Sequence, residues 1–439
     1  MIKKLLGNQI FFNIASSLGI KMISAFVGVI SSIVLARYLG ATDLGVYSLA
    51  ISIITIITII TKMGLDNTLI KYASYSYSIN DWMTIKGLHS QMIKLVLSMA
   101  IPAILIICLF SDIIAIYVFD EPKLGQSIRL FSLAIIPISL IDLYSQLFKG
   151  IDRIKIGMFM QSMPLHLFII CLILIFSIFI PLNLPKIISI YVLSSVLVLI
   201  ACSLLWGKFI PSDAKKIKGY FSRDEMMKTS IPLMWVASLN LVFTYMDTFM
   251  IGMFMSSTVV GLYNVASKVV LLSSMILVAI NGVVSQKFSV YWETKKKEEL
   301  ERLAQSSTCY MFILSIIVFL FYVIFNRFIL NLYGQEYIEA WPVLLVLAIG
   351  QFVVLATGPV ASLLMMTGNG KFHKNNTFVS ALINFVLNLL FIPFFGIVGA
   401  AVATAISLIV KNLLAVIFVR KNLGINVFSN WGKILKSGW

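Results

Sequence analysis

The stretch VVGLYNVASKVVLLSSMILVAINGVV runs from Val259 to Val284 and carries a single charge, Lys268. An α-helix rises about 1.5 Å per residue, so about 20 such residues match a bilayer core of about 30 Å. Lipid offers no hydrogen bonds to the backbone, and only helices or closed barrels satisfy those groups internally. The run is continuous rather than alternating, which selects a helix over a barrel strand. Runs of this kind recur at 12–36, 44–61, 88–110, 126–148, 158–180, 187–206, 230–252, 259–284, 307–330, 341–366, 377–395 and 397–419. They predict an all-α polytopic membrane protein with about 12 transmembrane helices.

The composition agrees. The 439 residues are 60% hydrophobic and only 12% charged, where a soluble protein carries about 25% charged residues. The net charge of +16 reads as positive charge retained on cytoplasmic loops near anionic headgroups. A nucleic-acid partner is not expected, because no basic segment is interleaved with aromatics that could stack bases. Cys108, Cys171, Cys202 and Cys309 lie in or beside apolar runs and form no CxxC pair. They read as small hydrophobes. The first apolar run lacks a small-residue cleavage site and is read as the first span.

Lysine and arginine set the orientation. With the N-terminus inside, 25 of them fall on inner segments, including Lys3, Lys4, Lys433 and Lys436. The outer segments hold only Arg37, Lys123, Lys186 and Arg327. Such an asymmetry predicts both termini in the cytoplasm and an even number of spans. The polar segment Lys287 to Ser306 is amphipathic, with Glu298 and Arg302 four apart. It reads either as a helix lying on the membrane surface or as a solvated linker helix.

The chain also repeats itself. YLGATDLGVYSLA, from Tyr38 to Ala50, aligns with FMSSTVVGLYNVA, from Phe254 to Ala266, at a shift of 216 residues. Gly150-Ile-Asp-Arg153 is echoed by Gly368-Asn-Gly-Lys371 at a shift of 218. Each copy falls at the same place in its half. The expected domains are therefore an N-terminal six-helix lobe at 1–206, a cytoplasmic linker at 207–229, a C-terminal six-helix lobe at 230–419 and a cytoplasmic tail at 420–439. Parallel repeats of this kind suit transporters whose halves rock about a shared site.

Ionisable groups in a span normally face the bundle interior or a wet cavity. This chain has Lys21, Lys94, Arg129, Asp142, Asp247, Lys268 and Lys411 in its spans. Lys94, Arg129 and Lys411 lie near span ends, from which they can snorkel. Lys21, Asp247 and Lys268 lie well inside apolar stretches. Asp247 could pair with either lysine and merely hold helices together. Alternatively, two lysines against one aspartate leave a cationic lining suited to phosphate or pyrophosphate. Nucleotide-binding motifs are absent from the sequence, and its three histidines form no metal-ligand pattern. No cofactor or catalytic residue is expected.

The motifs resemble those of the polysaccharide-biosynthesis (O-antigen type) lipid-linked oligosaccharide flippases, within the multidrug/oligosaccharidyl-lipid/polysaccharide exporter superfamily. The resemblance rests on ARYLGATDLGVY (Ala36 to Tyr47) and on YMDTFMIG (Tyr245 to Gly252), which leads into VGLYNVASK (Val260 to Lys268). It rests also on Gly368 to Lys371, on Asn384 to Asn388 with Ile392 and Pro393, and on GIVGAAVAT (Gly396 to Thr404). It spans essentially the whole chain. It implies two six-helix lobes around a V-shaped central cavity. It also implies movement of an undecaprenyl-pyrophosphate-linked oligosaccharide, an O-antigen or capsule/exopolysaccharide repeat unit, by alternating access across a bacterial inner membrane. By the same resemblance, Lys21, Arg37 and Lys268 would bind the anionic headgroup, and Asp43 and Asp247 would serve as charge partners or couple ions, a role that Asp142, as an acid within a span, would share. A glycan polymerase, glycosyltransferases and membrane lipids are the implied partners. The alternatives are a multidrug or small-solute antiporter of the same superfamily, which would favour an acidic cavity, and a membrane enzyme.

Overall fold

The computed structural model describes residues 2–429 and 431, with side chains described except at 2–15, 17–18, 232–233 and 235–243. Lys433 and Lys436, and the side chains of Lys3 and Lys4, lie outside the described residues. The chain folds into α-helices in this order: α1 (Ile2–Lys62), α2 (Leu65–Ser78), α3 (Trp82–Ile113), α4 (Pro122–Ser132), α5 (Ile135–Gly150), α6 (Ile154–Phe179), α7 (Leu184–Phe209) and α8 (Ser212–Lys215). There follow α9 (Arg223–Phe254), α10 (Ser257–Leu272), α11 (Ser274–Glu293), α12 (Lys297–Tyr333), α13 (Trp341–Ala356), α14 (Val360–Met366) and α15 (Gly370–Phe418). Short π-helical turns follow α3 and α15, and a 3₁₀ turn precedes α13. No β-strand occurs among the described residues.

Among the described residues, eight helices are long and apolar enough to cross a membrane, or nine if the bent pair α4–α5 counts as one span. Two of them are far longer than one crossing needs. The 44 residues of Gly19–Lys62 would reach about 66 Å if straight, twice the bilayer core. Gly40 interrupts this helix at φ 70°, ψ 172°, and Gly396 interrupts α15 at φ 59°, ψ −140°. Both conformations lie where a Cβ is strongly disfavoured, so glycine marks each bend. The sequence boundaries at 36/44 and 395/397 fall on these two residues.

The helix starts follow ordinary capping chemistry. The Asp81 carboxylate accepts from the Thr84 N–H at 3.1 Å at the head of α3. Asn183 caps α7 through the Lys186 N–H at 3.2 Å. Each side chain satisfies a backbone donor that the first turn leaves unpaired.

The segment 287–306 is not a separate surface helix. Lys287 lies within α11, and Arg302 lies within α12. The chain reverses between them at Thr294–Lys296, where Lys295 takes φ 58°. The amphipathic pattern belongs to two membrane helices that run on past the hydrocarbon, where their polar faces meet water.

The chain divides into two compact units, Met1–Gly261 and Leu262–Trp439. In the first, Tyr47, Phe131 and Tyr191 meet edge to face, with ring centroids 5.1, 5.2 and 6.4 Å apart. A second aromatic group stacks His89 on Trp206 at 5.1 Å while His89 Nε2 meets the Tyr144 hydroxyl at 2.9 Å. The stretch after α7 is tied down in this unit. Lys86 Nζ donates to the carbonyls of Ala214, Lys215 and Ile217 at 3.0, 2.9 and 2.5 Å.

In the second unit, Val284, Phe288, Leu300, Leu364, Val419 and Ile425 build one core. Gly350 lets α13 approach α15 closely, since a Cβ there would lie 2.8 Å from the Cα of Ala405. Hydroxyls in both units, such as Ser52, Ser194, Ser307 and Ser407, donate hydrogen bonds to carbonyls four residues back. That keeps buried oxygens satisfied without water.

Large apolar side chains point outward on several helices, as at Leu109 (76% exposed) and Phe394 (81% exposed). A soluble protein rarely exposes apolar surface on this scale. Hydrocarbon covers it here at no cost, and the chain is a multi-pass membrane protein. Cys171 belongs to this exposed surface, while Cys202 and Cys309 are buried as small hydrophobes.

Candidate functional site

The charged side chains within the spans are distributed over several helices. In the first unit, Lys21 lies on the first arm of α1 and is exposed. Its positive charge acts on Lys149, at the end of α5. Lys149 Nζ donates to Gln161 Oε1 at 2.8 Å and to Gln146 Oε1 at 3.3 Å. Two ammonium groups and two carboxamides thus belong to one region of the unit.

Asp142 lies one helical turn from Gln146 on α5. Its Oδ2 accepts from Lys62 Nζ at 2.9 Å, and Lys62 also reaches Asp66 at 3.4 Å. Both members of the 2.9 Å pair are mostly sheltered, with side-chain exposures of 12% for Lys62 and 26% for Asp142. This pairing holds the end of α1, the start of α2 and the middle of α5 together. By sequence Lys62 falls just past the apolar run 44–61, among the inner cations. The available signal was Asp66, four residues on from Lys62, which predicts a helical pair.

Arg37 is exposed just before the Gly40 bend. Asp43, just after that bend, accepts from Lys123 Nζ at 2.9 Å. Arg129 pairs with Asp112 at 3.1 Å, with both side chains about half exposed. Asp247 is half-buried on α9.

In the second unit, Lys268 projects from α10 and is exposed, while its neighbours Val269 and Val270 are buried. The same helix contributes Tyr263 to a neutral polar seam. The Tyr263 hydroxyl lies 3.4 Å from Thr404 Oγ1, which also accepts from Asn384 Nδ2 at 3.1 Å. Asn388 Nδ2 donates to Asn384 Oδ1 at 3.2 Å. Tyr263, Asn384, Asn388 and Thr404 come from three separate sequence motifs, and folding makes them one network. Polar groups shielded from water gain most when they satisfy one another in this way.

Among the described residues, no group of three His, Cys, Asp or Glu side chains converges to hold a metal ion.

The polysaccharide biosynthesis protein family matches residues 10–286 of this chain, and the MatE family matches residues 232–390. Two relatives come from Haloferax volcanii. The "Probable low-salt glycan biosynthesis flippase Agl15" is 30% identical over 176 residues, covering 39% of this chain and 37% of that protein. The "Probable flippase AglR" is 28% identical over 187 residues, covering 42% and 39%. The chain therefore spans about two-fifths of the length of these curated relatives.

Solved structures share the fold over nearly the full length. An inward-facing multidrug resistance MATE family transporter of the MOP superfamily superimposes with a TM-score of 0.72 at 12% identity, covering 97% of this chain and all of that one. The lipid II flippase MurJ, in an inward closed conformation, gives 0.67 at 14% identity, covering 95% and 90%. At such identities the likeness speaks for architecture alone. The family match covers more than half of the chain and agrees with that architecture, so this protein belongs to the polysaccharide biosynthesis protein family and has the fold of the MOP superfamily.

Proposed function

We propose that this protein is a flippase that carries a lipid-linked oligosaccharide across the membrane by alternating access. A phosphorylated headgroup and its glycan cannot cross hydrocarbon unaided, because each unpaired polar group costs several kcal/mol to strip of water. A wet, positively lined path lowers that barrier while the polyprenyl tail stays in lipid.

The observation that carries this reading is the pair of exposed lysines within the spans, Lys21 and Lys268. An ammonium group exposed to acyl chains is costly, so a mid-span lysine with accessible surface belongs on a water-lined face. In the first unit, Lys21 shares its region with Lys149, Gln146 and Gln161. These are cations and amide donors of the kind that bind a pyrophosphate and the first sugars.

On this reading Lys21, Arg37 and Lys268 engage the headgroup, while Asp43, Asp142 and Asp247 hold or release the cations. The name of the Haloferax relative Agl15 supports a glycan substrate, and that of AglR supports flippase activity. We assign an undecaprenyl-type pyrophosphate carrier, twelve crossings in two lobes and both termini in the cytoplasm. Glycosyltransferases that build the substrate and a polymerase that consumes it are the natural partners.

The test is reconstitution in proteoliposomes with a fluorescent polyprenyl-pyrophosphate oligosaccharide. Protein-dependent movement between leaflets supports the proposal, and movement no faster than in empty liposomes overturns it. The MatE match over residues 232–390 favours a second reading, cation antiport. Proton-coupled efflux of an organic cation in the same vesicles would support that instead.

A further inference from the structure

We propose that Gln146 and Gln161 form a subsite for a carboxylate on the glycan, with Lys149 as the positioning residue that fixes which way their amides face. The proposal rests on the flippase reading for its cargo.

The subsite is built from α5 and α6. Asp142, Gln146 and Lys149 follow one another on α5 at spacings of four and three, so they share one face of the helix. Gly157, on α6, lets that face come close. A Cβ there would lie 2.8 Å from Lys149 Cγ and 2.5 Å from the Ser145 carbonyl oxygen. Ser145 Oγ closes the contact by donating to the Gly157 carbonyl at 2.9 Å. The Lys149 stem therefore lies against α6, and Gln161 comes within its reach one turn beyond Gly157.

Lys149 Nζ donates to Gln161 Oε1 and to Gln146 Oε1. An ammonium has donors and no acceptor, so it meets both amides by their oxygens. Each NH2 group is then turned away from the lysine. Among the described residues, no hydrogen bond occupies Nε2 of either glutamine. Gln161 is exposed, Lys149 is half-buried and Gln146 is buried.

The surrounding charge is positive. The carboxylates that act on Lys149, Asp142 and Asp66, both pair with Lys62. Lys21 adds a second ammonium. The subsite thus presents two neutral NH2 groups beside two cations, with both amide oxygens engaged.

A carboxylate accepts on both oxygens and donates nothing, which matches that set. Ammonium groups alone attract any oxyanion. Fixed amides add direction, and they penalise a group that must donate, because a donor facing a donor stays unpaired. On the flippase reading the phosphorylated headgroup is common to all cargoes. A directional subsite therefore serves the variable part, the sugar.

The test measures binding to the purified full chain in detergent. The probes are a polyprenyl-pyrophosphate disaccharide ending in glucuronic acid, the same lipid ending in glucose, and the sugar-free polyprenyl pyrophosphate. The unsubstituted protein should bind the glucuronic form about tenfold tighter than the glucose form. Lys149→Met frees the amides to rotate and should erase most of that preference. Lys149→Glu puts an acceptor where the donor was, so the NH2 groups turn inward and the amide oxygens outward. It should favour glucose, whose hydroxyls donate. Gln161→Leu should weaken the glucuronic form alone.

Equal affinity of the unsubstituted protein for the two sugars overturns the subsite. So does an unchanged preference in Lys149→Glu at normal melting temperature. A loss in Lys149→Met as large for the sugar-free lipid as for the glucuronic form overturns it too, by placing the headgroup there instead. If the preferences hold while none of these lipids moves between leaflets in proteoliposomes, the flippase reading fails and the subsite stands.

Discussion

Lys62 and Asp142 are 80 residues apart in sequence, yet the lysine ammonium donates to the aspartate at 2.9 Å in the shelter of the first unit. The pair joins the end of α1 to the middle of α5, and Asp66 supports it from one helical turn away. Its energetics set the first prediction. Breaking a buried ion pair by removing one partner costs about 3–5 kcal/mol. At 12% and 26% exposure, this pair should fall at or below the lower end of that range. Asp142→Ala and Lys62→Ala should each lower the melting temperature in detergent. The double variant should lose less than the sum, with a coupling of about 0.5–3 kcal/mol. Purely additive losses would show that the pair contributes nothing as a pair.

Lys21 and Lys268 bear on function rather than stability. Lys21→Ala and Lys268→Ala should each reduce transport at least tenfold, about 1.4 kcal/mol in the barrier. Membrane abundance and melting temperature should stay near normal. Lysine-to-arginine variants at the same positions should retain more activity, since the charge remains. Transport at the normal rate in the alanine variants, measured in proteoliposomes, would remove both residues from the path.

Asp81 governs the acid side. Hydrogen bonds from the Thr84 hydroxyl and backbone N–H hold its carboxyl below the usual range. A carboxylate whose folded pKa is depressed stabilises the fold above its unfolded value, about 3.9. That contribution is lost as pH falls through the lower folded value. Asp81→Ala should cost about 1 kcal/mol at neutral pH by removing the cap of α3. The difference from the unsubstituted protein should shrink below about pH 4. Parallel thermal melts across pH 3 to 7 would check it, and a gap that widens toward acid would contradict it.

Lys86 pins the segment after α7 by donating to three carbonyls. A hydrogen bond to a charged group contributes about 1.5–3 kcal/mol. Lys86→Met should therefore free this stretch and speed tryptic cleavage at Lys215, Lys216 and Lys218. Peptide mapping after limited digestion reads the result directly. Equal cleavage rates would mean that the close backbone approach of Gly87 to Tyr220 holds the segment unaided.

Some of this is legible in the sequence itself. The Val259–Val284 run named its own solvent, because the length of an apolar segment is a local property measured against a bilayer. The Gly396 bend was legible for the same reason, as a glycine between two apolar runs. The amphipathic stretch 287–306 misled, because helical periodicity looks alike in a surface helix and in the wet ends of two spans. The partners of Asp43 and Asp142 were hidden, since Lys123 and Lys62 sit 80 residues away from them.

The amino-acid sequence alone determined that this chain is helical, crosses a membrane many times and carries two copies of one pattern, because hydropathy and spacing act over a few turns. The tertiary structure alone decided that Lys62 meets Asp142, that Tyr263, Thr404, Asn384 and Asn388 share one network, and that Thr42 touches Thr258. Those pairings depend on how the helices pack, and a polar group buried by packing takes whichever partner the bundle brings within about 3 Å.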